Sequence, residues 1–249
     1  MRRVYATTFA LVTALALATV SAQQQPPPAA GAGGGMRMGG GQDAARKVPG
    51  GGIAASGWKG KVDAGEASQG NAINDSKFEM KGNEITIATG PAAIYWNPAD
   101  TASSDYTVSA TFTEPAYMSA NSHGHPYGVF LGGNKLDTDA PTLLYCAAYG
   151  DGRYIFRAFP TTFAPGGNRR PGTNAAVKKV EKGQPVTQEI KMSVKGSRVS
   201  CTINGTEVAN MDKGELVGEG KVESVQGIAG IRVAHNVDVK VTNFKVEKQ

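Results

Sequence analysis

Histidine is scarce in this chain of 249 residues: there are three, alongside two cysteines and two tryptophans. So few soft ligands exclude the dense Cys/His patterns of structural zinc sites. No Gly-x-Ser-x-Gly elbow occurs, and "GEASQG" at 65–70 lacks both that spacing and a preceding strand, which removes the usual serine-hydrolase geometry. No Gly-Lys-Ser/Thr follows a glycine-rich loop, so a phosphate cradle is excluded. No EF-hand-like ligand run is present, and calcium would have only scattered Asp and Asn oxygens to draw on. A sustained helical stripe is missing too, as is any apolar run beyond the N-terminus long enough to span a bilayer.

An excess of charge is also missing where it would matter. The chain carries 26 Lys+Arg against 21 Asp+Glu. However, Arg2 and Arg3 belong to the N-terminal leader, and Arg37, Arg46 and Lys47 outnumber Asp43 in the stretch that follows. The remainder is close to neutral, which argues against a nucleic-acid partner, since such binders carry a basic face on the folded domain. "VKKVEKG" at 177–183 is the nearest basic run and reads as a solvated loop.

What is present begins with a leader. A basic start, the apolar "FALVTALALATV" and the small residues Val20-Ser21-Ala22 give an export signal over residues 1–22, with a retained anchor as the alternative. The expected location is secreted or periplasmic, with no membrane span after cleavage. Residues 23–52, rich in Gly, Pro and Gln, hold too little apolar surface to offset ordering entropy and read as a disordered linker. Residues 53–249 then suffice for one domain.

That domain has a period of two. In "YTVSATFT", Tyr106, Val108, Ala110 and Phe112 share one face and four hydroxyl residues the other. "EITIAT", "EIKMSV" and "RVSCTI" alternate in the same way, and "VDVKVTNFKV" changes phase at Thr242-Asn243, as a bulge requires. Lys81-Gly82-Asn83, Gly150-Asp151-Gly152, Lys195-Gly196-Ser197 and Asn204-Gly205 supply hairpin turns. The expected fold is all-β, an antiparallel two-sheet jelly-roll sandwich. Cys146 and Cys201 lie within strands. An even count in an exported chain invites a disulfide, but alternation points Cys201 into the core and favours two small buried hydrophobes.

"SGWKGKVD", "YGVFLGG", "YGDGRYIFRAF", "VSCTINGTEV" and "GIAGIRVAHNVDVKVTNFKVEK" follow one another in an order that resembles secreted bacterial domains of the concanavalin A-like lectin/glucanase superfamily. They are similar to those near the keto-disaccharide hydrolase domain family. The resemblance implies a jelly roll and association with glycans, and the family name implies hydrolysis. The Asn-Ser-Gly segment typical of that family is not evident, with "HPYGVFLGG" in its place. The alternating Glu-x-Asp-x-(x)-Glu array of laminarinase-like glucanases does not occur either: Asp137 and Asp139 have no third partner, and Glu215, Glu219 and Glu223 read as solvated charges.

"NSHGHPYGVFLGG" places His123 and His125 on one face if the segment is extended, where a metal could take both. The third ligand is the difficulty, because His235, beside Asn236 and Asp238, is the only other histidine. No metal or cofactor is predicted, with calcium the weak exception. Sugars want aromatic plates and planar hydrogen-bonding groups. The candidate glycan-binding residues are therefore Tyr95, Trp96, His123, His125, Tyr127, Asn168, Arg169 and His235, with the long loop from Pro160 to Pro185 as part of the surface. Taken singly, Tyr95, Trp96 and Phe159 each read first as core residues on alternating strands. The expected function is glycan or oligosaccharide binding. The alternatives are a glycoside hydrolase or lyase acting on modified sugars through a histidine and an unassigned carboxylate, and a non-catalytic envelope scaffold. Convergence of the three histidines on a carboxylate in one cleft would favour the enzyme. Nothing fixes an oligomeric state.

Overall fold

Hairpin chemistry sets the architecture. Asn204 and Gly205, with φ of 48° and 84°, form the tight turn that the flanking alternation calls for, and Gly82 and Gly196 take left-handed angles at two others. The computed structural model describes Met1, residues 43–167 and residues 169–249. Its strands are β1 (Gly52–Ala54), β2 (Lys59–Val62), β3 (Lys77–Lys81), β4 (Glu84–Ala88), β5 (Ala93–Ala102), β6 (Tyr106–Glu114), β7 (Tyr127–Asn134) and β8 (Thr142–Ala148). They continue as β9 (Arg153–Phe159), β10 (Gly172–Thr173), β11 (Val186–Lys195), β12 (Arg198–Ile203), β13 (Thr206–Asp212), β14 (Gly227–Val233) and β15 (Asp238–Lys248). Two single-turn α-helices, α1 (Ala64–Ala67) and α2 (Lys213–Leu216), lie in the connections.

Two sheets form, ordered β1-β3-β4-β15-β6-β11-β12-β13 and β10-β9-β8-β7-β14-β5-β2. Every pairing between these strands is antiparallel except β1 with β3. The expected all-β sandwich is thus observed, and the phase change in β15 is a register shift between Thr242 and Lys245 with Asn243 at φ 54°. Val108 and Phe112 of β6 are fully buried between the layers, in one continuous core with Val129 and Leu131 of β7 and Cys146 of β8. No described helix is long and apolar enough to cross a membrane.

Five expectations change. Tyr95 points into the interlayer core and stacks on Phe78 at 4.9 Å, and Tyr127 stacks on Phe112 at 5.5 Å. Trp96 faces the other way but is only 1% exposed, packed with Phe130 and Leu143. All three sit on strands whose packing buries them, so none offers a plate to a sugar. Cys146 and Cys201 are joined in a disulfide with Cα atoms 6.3 Å apart. Alternation does send Cys201 inward, but it sends Cys146 inward from the opposite sheet, and the two meet. Finally, residues 43–52, expected as the end of the linker, hydrogen-bond to the sandwich. Arg46 pairs with Asp238 and donates to the Thr89 carbonyl, Asn236 donates to the Ala44 carbonyl, and β1 adds to the sheet edge. The leader and residues 23–42 lie outside the described residues.

Candidate functional site

Alternation that fills the interlayer core also dictates the opposite face of the second sheet. On β9, Tyr154, Phe156 and Ala158 turn inward, leaving Arg153, Ile155, Arg157 and Phe159 outward. Tyr145 of β8 and Arg232 of β14 join them on that face, and together they floor a cleft of about 930 Å³. One wall is the β2–α1 corner carrying Asp63 and Glu66. The turn from His123 to Pro126, with His235 beyond β14, forms the adjoining wall.

The three histidines converge here. The His123 and His125 rings lie 4.4 Å apart, and the His125 and His235 rings 4.2 Å apart. Glu66 Oε1 stands 2.9 Å from His235 Nδ1 and accepts the Ala92 N–H at 3.1 Å. Burial raises the Glu66 carboxyl, but the His235 hydrogen bond, the Ala92 N–H and the nearby positive charges outweigh it and hold it below the ordinary range. In the tautomer in which Nδ1–H donates to the Glu66 carboxylate, the proton-accepting lone pair of His235 is on Nε2. That Nε2 is buried without a partner, and so is Nε2 of His125. Two orphan imidazole nitrogens in one cluster are uncommon, because buried polar atoms are ordinarily satisfied. Burial, then the charges of His235 and His123, pushes His125 down to about 4.

A second acid lies beside this pair. Asp63 Oδ2 accepts from Arg232 Nη2 at 2.5 Å, while Oδ1 is buried and unpartnered. Burial raises the Asp63 carboxyl even against Arg232. Burial also works against the charge of Arg232, yet Asp63 and its other neighbours outweigh it and keep the guanidinium protonated. That guanidinium lies 5.7 Å from the Tyr145 ring and 5.6 Å from the Phe159 ring, and Arg153 lies 4.5 Å from the Tyr149 ring. Gly124 allows the histidine turn to close. A Cβ there would stand 2.1 Å from the Tyr117 hydroxyl and 3.1 Å from Asp151 Oδ2. Asp43 brings a carboxylate to His123 and His125, so that one ligand atom from each of the three lies within 4.8 Å of the others.

Of the residues expected from sequence, the structure brings His123, His125 and His235 together. Tyr95, Trp96 and Tyr127 belong to the core. Arg169 is committed to its own loop, donating to the carbonyls of Thr161 at 3.1 Å and Thr162 at 2.5 Å, while its carbonyl accepts from the cleft residue Arg157. Asn168 lies outside the described residues. Sequence reasoning missed Glu66, Asp63, Arg232 and the outward arginines of β9. A signal for the last existed, since "RYIFRAF" alternates Arg-Ile-Arg-Phe against Tyr-Phe-Ala. An arginine inside the apolar run "GIAGIRV" was another. Glu66 carried no comparable mark.

No family model matches the chain, and no curated protein matches it. Among solved structures it is similar to an endo-1,3-beta-glucanase from Streptomyces sioyaensis, at 10% identity and a TM-score of 0.52, over 83% of this chain and 95% of that one. It is also similar to a laminarinase from Flavobacterium sp. UMI-01, at 9% identity and a TM-score of 0.49, over 77% of this chain and 93% of that one. The carbohydrate-binding module CBM66 from Bacillus subtilis is 11% identical with a TM-score of 0.48, over 77% of this chain and 95% of that one. The likeness to the glucanase shows the fold, a two-sheet jelly roll, and nothing finer.

Proposed function

We propose that the outer-face cleft binds an oligosaccharide and cleaves a glycosidic bond in a modified sugar, as a hydrolase or lyase, with His235 as the acid–base group. One observation carries this reading: a partly buried imidazole, oriented by Glu66 and with a buried, unpartnered Nε2, lies in a cleft floored by aromatic rings and guanidinium groups. A carboxylate on Nδ1 fixes the tautomer that presents a basic Nε2 and stabilises the imidazolium formed when that nitrogen takes a proton. A carbonyl or carboxylate on a sugar ring makes the adjacent C–H acidic. A base beside a cation can remove that proton while the cation stabilises the negative charge that develops on oxygen. The electron pair then expels the glycosidic oxygen from the neighbouring carbon, leaving a double bond, and the departing oxygen takes the proton from the imidazolium. Arg153 and Arg157 supply the cationic side, and Tyr145 and Tyr149 supply faces for the sugar's C–H surfaces.

A modified substrate is favoured because the inner carboxylates of the cleft are engaged, Glu66 by His235 and Asp63 by Arg232, and the third, Asp139 at the rim, is fully exposed and faces Lys61 at 3.9 Å. A two-carboxylate hydrolysis of an ordinary glycoside needs a free pair across the bond. The resemblance to keto-disaccharide hydrolase domains agrees with this preference. The disulfide and the N-terminal leader support an oxidising, exported location.

The test is product release from paired substrates, aryl glycosides with and without a ring carbonyl, together with uronic-acid oligosaccharides. His235→Ala and Glu66→Gln should each lower kcat by about 10²–10⁴ while the far-ultraviolet circular dichroism stays unchanged. Saturable binding of oligosaccharide with no turnover of any substrate would return the cleft to a carbohydrate-binding role. Turnover that survives His235→Ala would remove the assigned acid–base group.

A further inference from the structure

We infer that Asp43, His123 and His125 form a binding site for one divalent transition-metal ion of the zinc class, at the rim of the cleft. Two imidazoles and a carboxylate make the donor set that such borderline ions take when a position is left open to solvent or substrate. Tetrahedral N and O ligands at about 2.0–2.1 Å stand roughly 3.3 Å apart. The three donor atoms, all within 4.8 Å, therefore need to close by no more than about 1.5 Å. His123, with 49% of its side chain exposed, is free to make that adjustment.

Three features point to an ion rather than to chance proximity. Nε2 of His125 is buried without a hydrogen-bond partner in a residue only 8% exposed, so it lacks the partner that a buried nitrogen ordinarily has. The Asp43 carboxylate is already oriented, because its Oδ2 accepts the Ser122 N–H at 2.6 Å and the Ser122 hydroxyl at 3.0 Å. Such outer hydrogen bonds typically set the direction of a ligating carboxylate. Lastly, the segment that carries Asp43 is anchored nearby through Arg46, whose N–H donates to Asn236 Oδ1 at 2.8 Å. Asn236 is the neighbour of His235. Asp43 is the third ligand that the sequence around the histidines lacks, delivered by a stretch remote in the chain. His123 and His125 both line the cleft, so a bound ion would border the space where a sugar oxygen would lie.

Isothermal titration of the metal-stripped full chain with Zn²⁺, and the visible ligand-field bands of Co²⁺, read the site without any substrate. We expect one ion per chain, with affinity at least about ten-fold weaker in His123→Ala and in Asp43→Asn. Both changes are at partly exposed side chains, and the amide introduced by Asp43→Asn keeps an acceptor for Ser122, so circular dichroism should be unaltered. Absence of binding overturns the site, and so does unchanged affinity in both variants. Affinity lost only in His235→Ala would move the ion to the inner histidines and overturn this ligand set. The first two outcomes leave the role of His235 as a base untouched, whereas an ion held by His235 would occupy the nitrogen assigned to that role.

Discussion

Glu114, the last residue of β6, is 5% exposed, and its side chain accepts the Met118 N–H at 3.1 Å through Oε1 while Oε2 is unpartnered. Burial raises its carboxyl to about 7, with Asp238 adding to the rise against the Met118 N–H. Between its ordinary value and about 7, the folded chain holds a proton there that the unfolded chain has lost. Stability from this residue is therefore fully present at acidic pH and declines as pH rises through that window, by up to about 3 kcal/mol. Glu114→Gln removes the titration. Urea unfolding at pH 8 should show the variant more stable than the parent, and at pH 4 the two should nearly coincide. A gain at pH 8 no larger than at pH 4 would mean that Glu114 is ionised in the fold. Glu66, though also largely buried, has the opposite character: His235, the Ala92 N–H and Arg232 hold it as an anion. The same side-chain type thus stores a proton at one place and orients a base at another, and the difference lies in its partners.

At the scale of the element, β9 separates the two uses of a sheet. Phe156 packs on the interlayer core and Arg157 stands in the cleft, one residue apart on opposite faces. Phe156→Ala should cost about 2 kcal/mol or more in denaturant unfolding. Arg157→Ala should stay within about 0.5 kcal/mol yet weaken oligosaccharide binding in titration calorimetry. Equal losses of stability in the two variants would contradict the assignment of faces. This alternation is what made the sandwich legible from sequence: Val108 with Phe112, Ile190 with Met192, and the phase change at Thr242-Asn243 all fall as periodicity places them. Parity of position decides against polarity of type at Tyr95 and Tyr127, candidates for sugar contact that their strands turn inward. The histidines were found because they are rare. Glu66 and Asp63 were not, because a one-turn helix after β2 has no periodicity, and their pairing with His235 and Arg232 spans 169 residues of sequence. Asp43 was lost for a different reason, as composition placed it in a linker while its hydrogen bonds place it on the domain.

In the whole molecule, the two sheets are joined by side-chain packing, by the chain's own crossings, by hydrogen bonds such as Gly132 N–H to the Tyr106 hydroxyl and the Tyr154 hydroxyl to the Val208 carbonyl, and by one disulfide. Cys146 lies on β8, in the layer that carries the cleft, and Cys201 lies on β12, in the layer behind it. The bridge closes a sequence separation of 55 residues, and the loop-entropy relation gives about 4 kcal/mol for a closure of that size, counted against the unfolded chain. Both cysteines are completely buried in the core. Replacing both with alanine therefore removes the link and also leaves a small underpacked volume, and the two effects have the same sign. Cys146→Ala/Cys201→Ala should unfold at markedly lower denaturant, with a loss of about 2–5 kcal/mol, and the oxidised parent should lose a comparable amount on reduction under unfolding conditions. Neither cysteine lines the cleft, since Cys146 faces the interlayer core while its neighbour Tyr145 faces the cleft, so turnover and metal affinity per folded molecule should stay close to the parent's at temperatures where the variant remains folded. Should activity fall in step with removal of the bridge while the far-ultraviolet spectrum and the unfolding midpoint hold, the two layers would be mechanically coupled, and the cleft could not be treated as the property of one sheet.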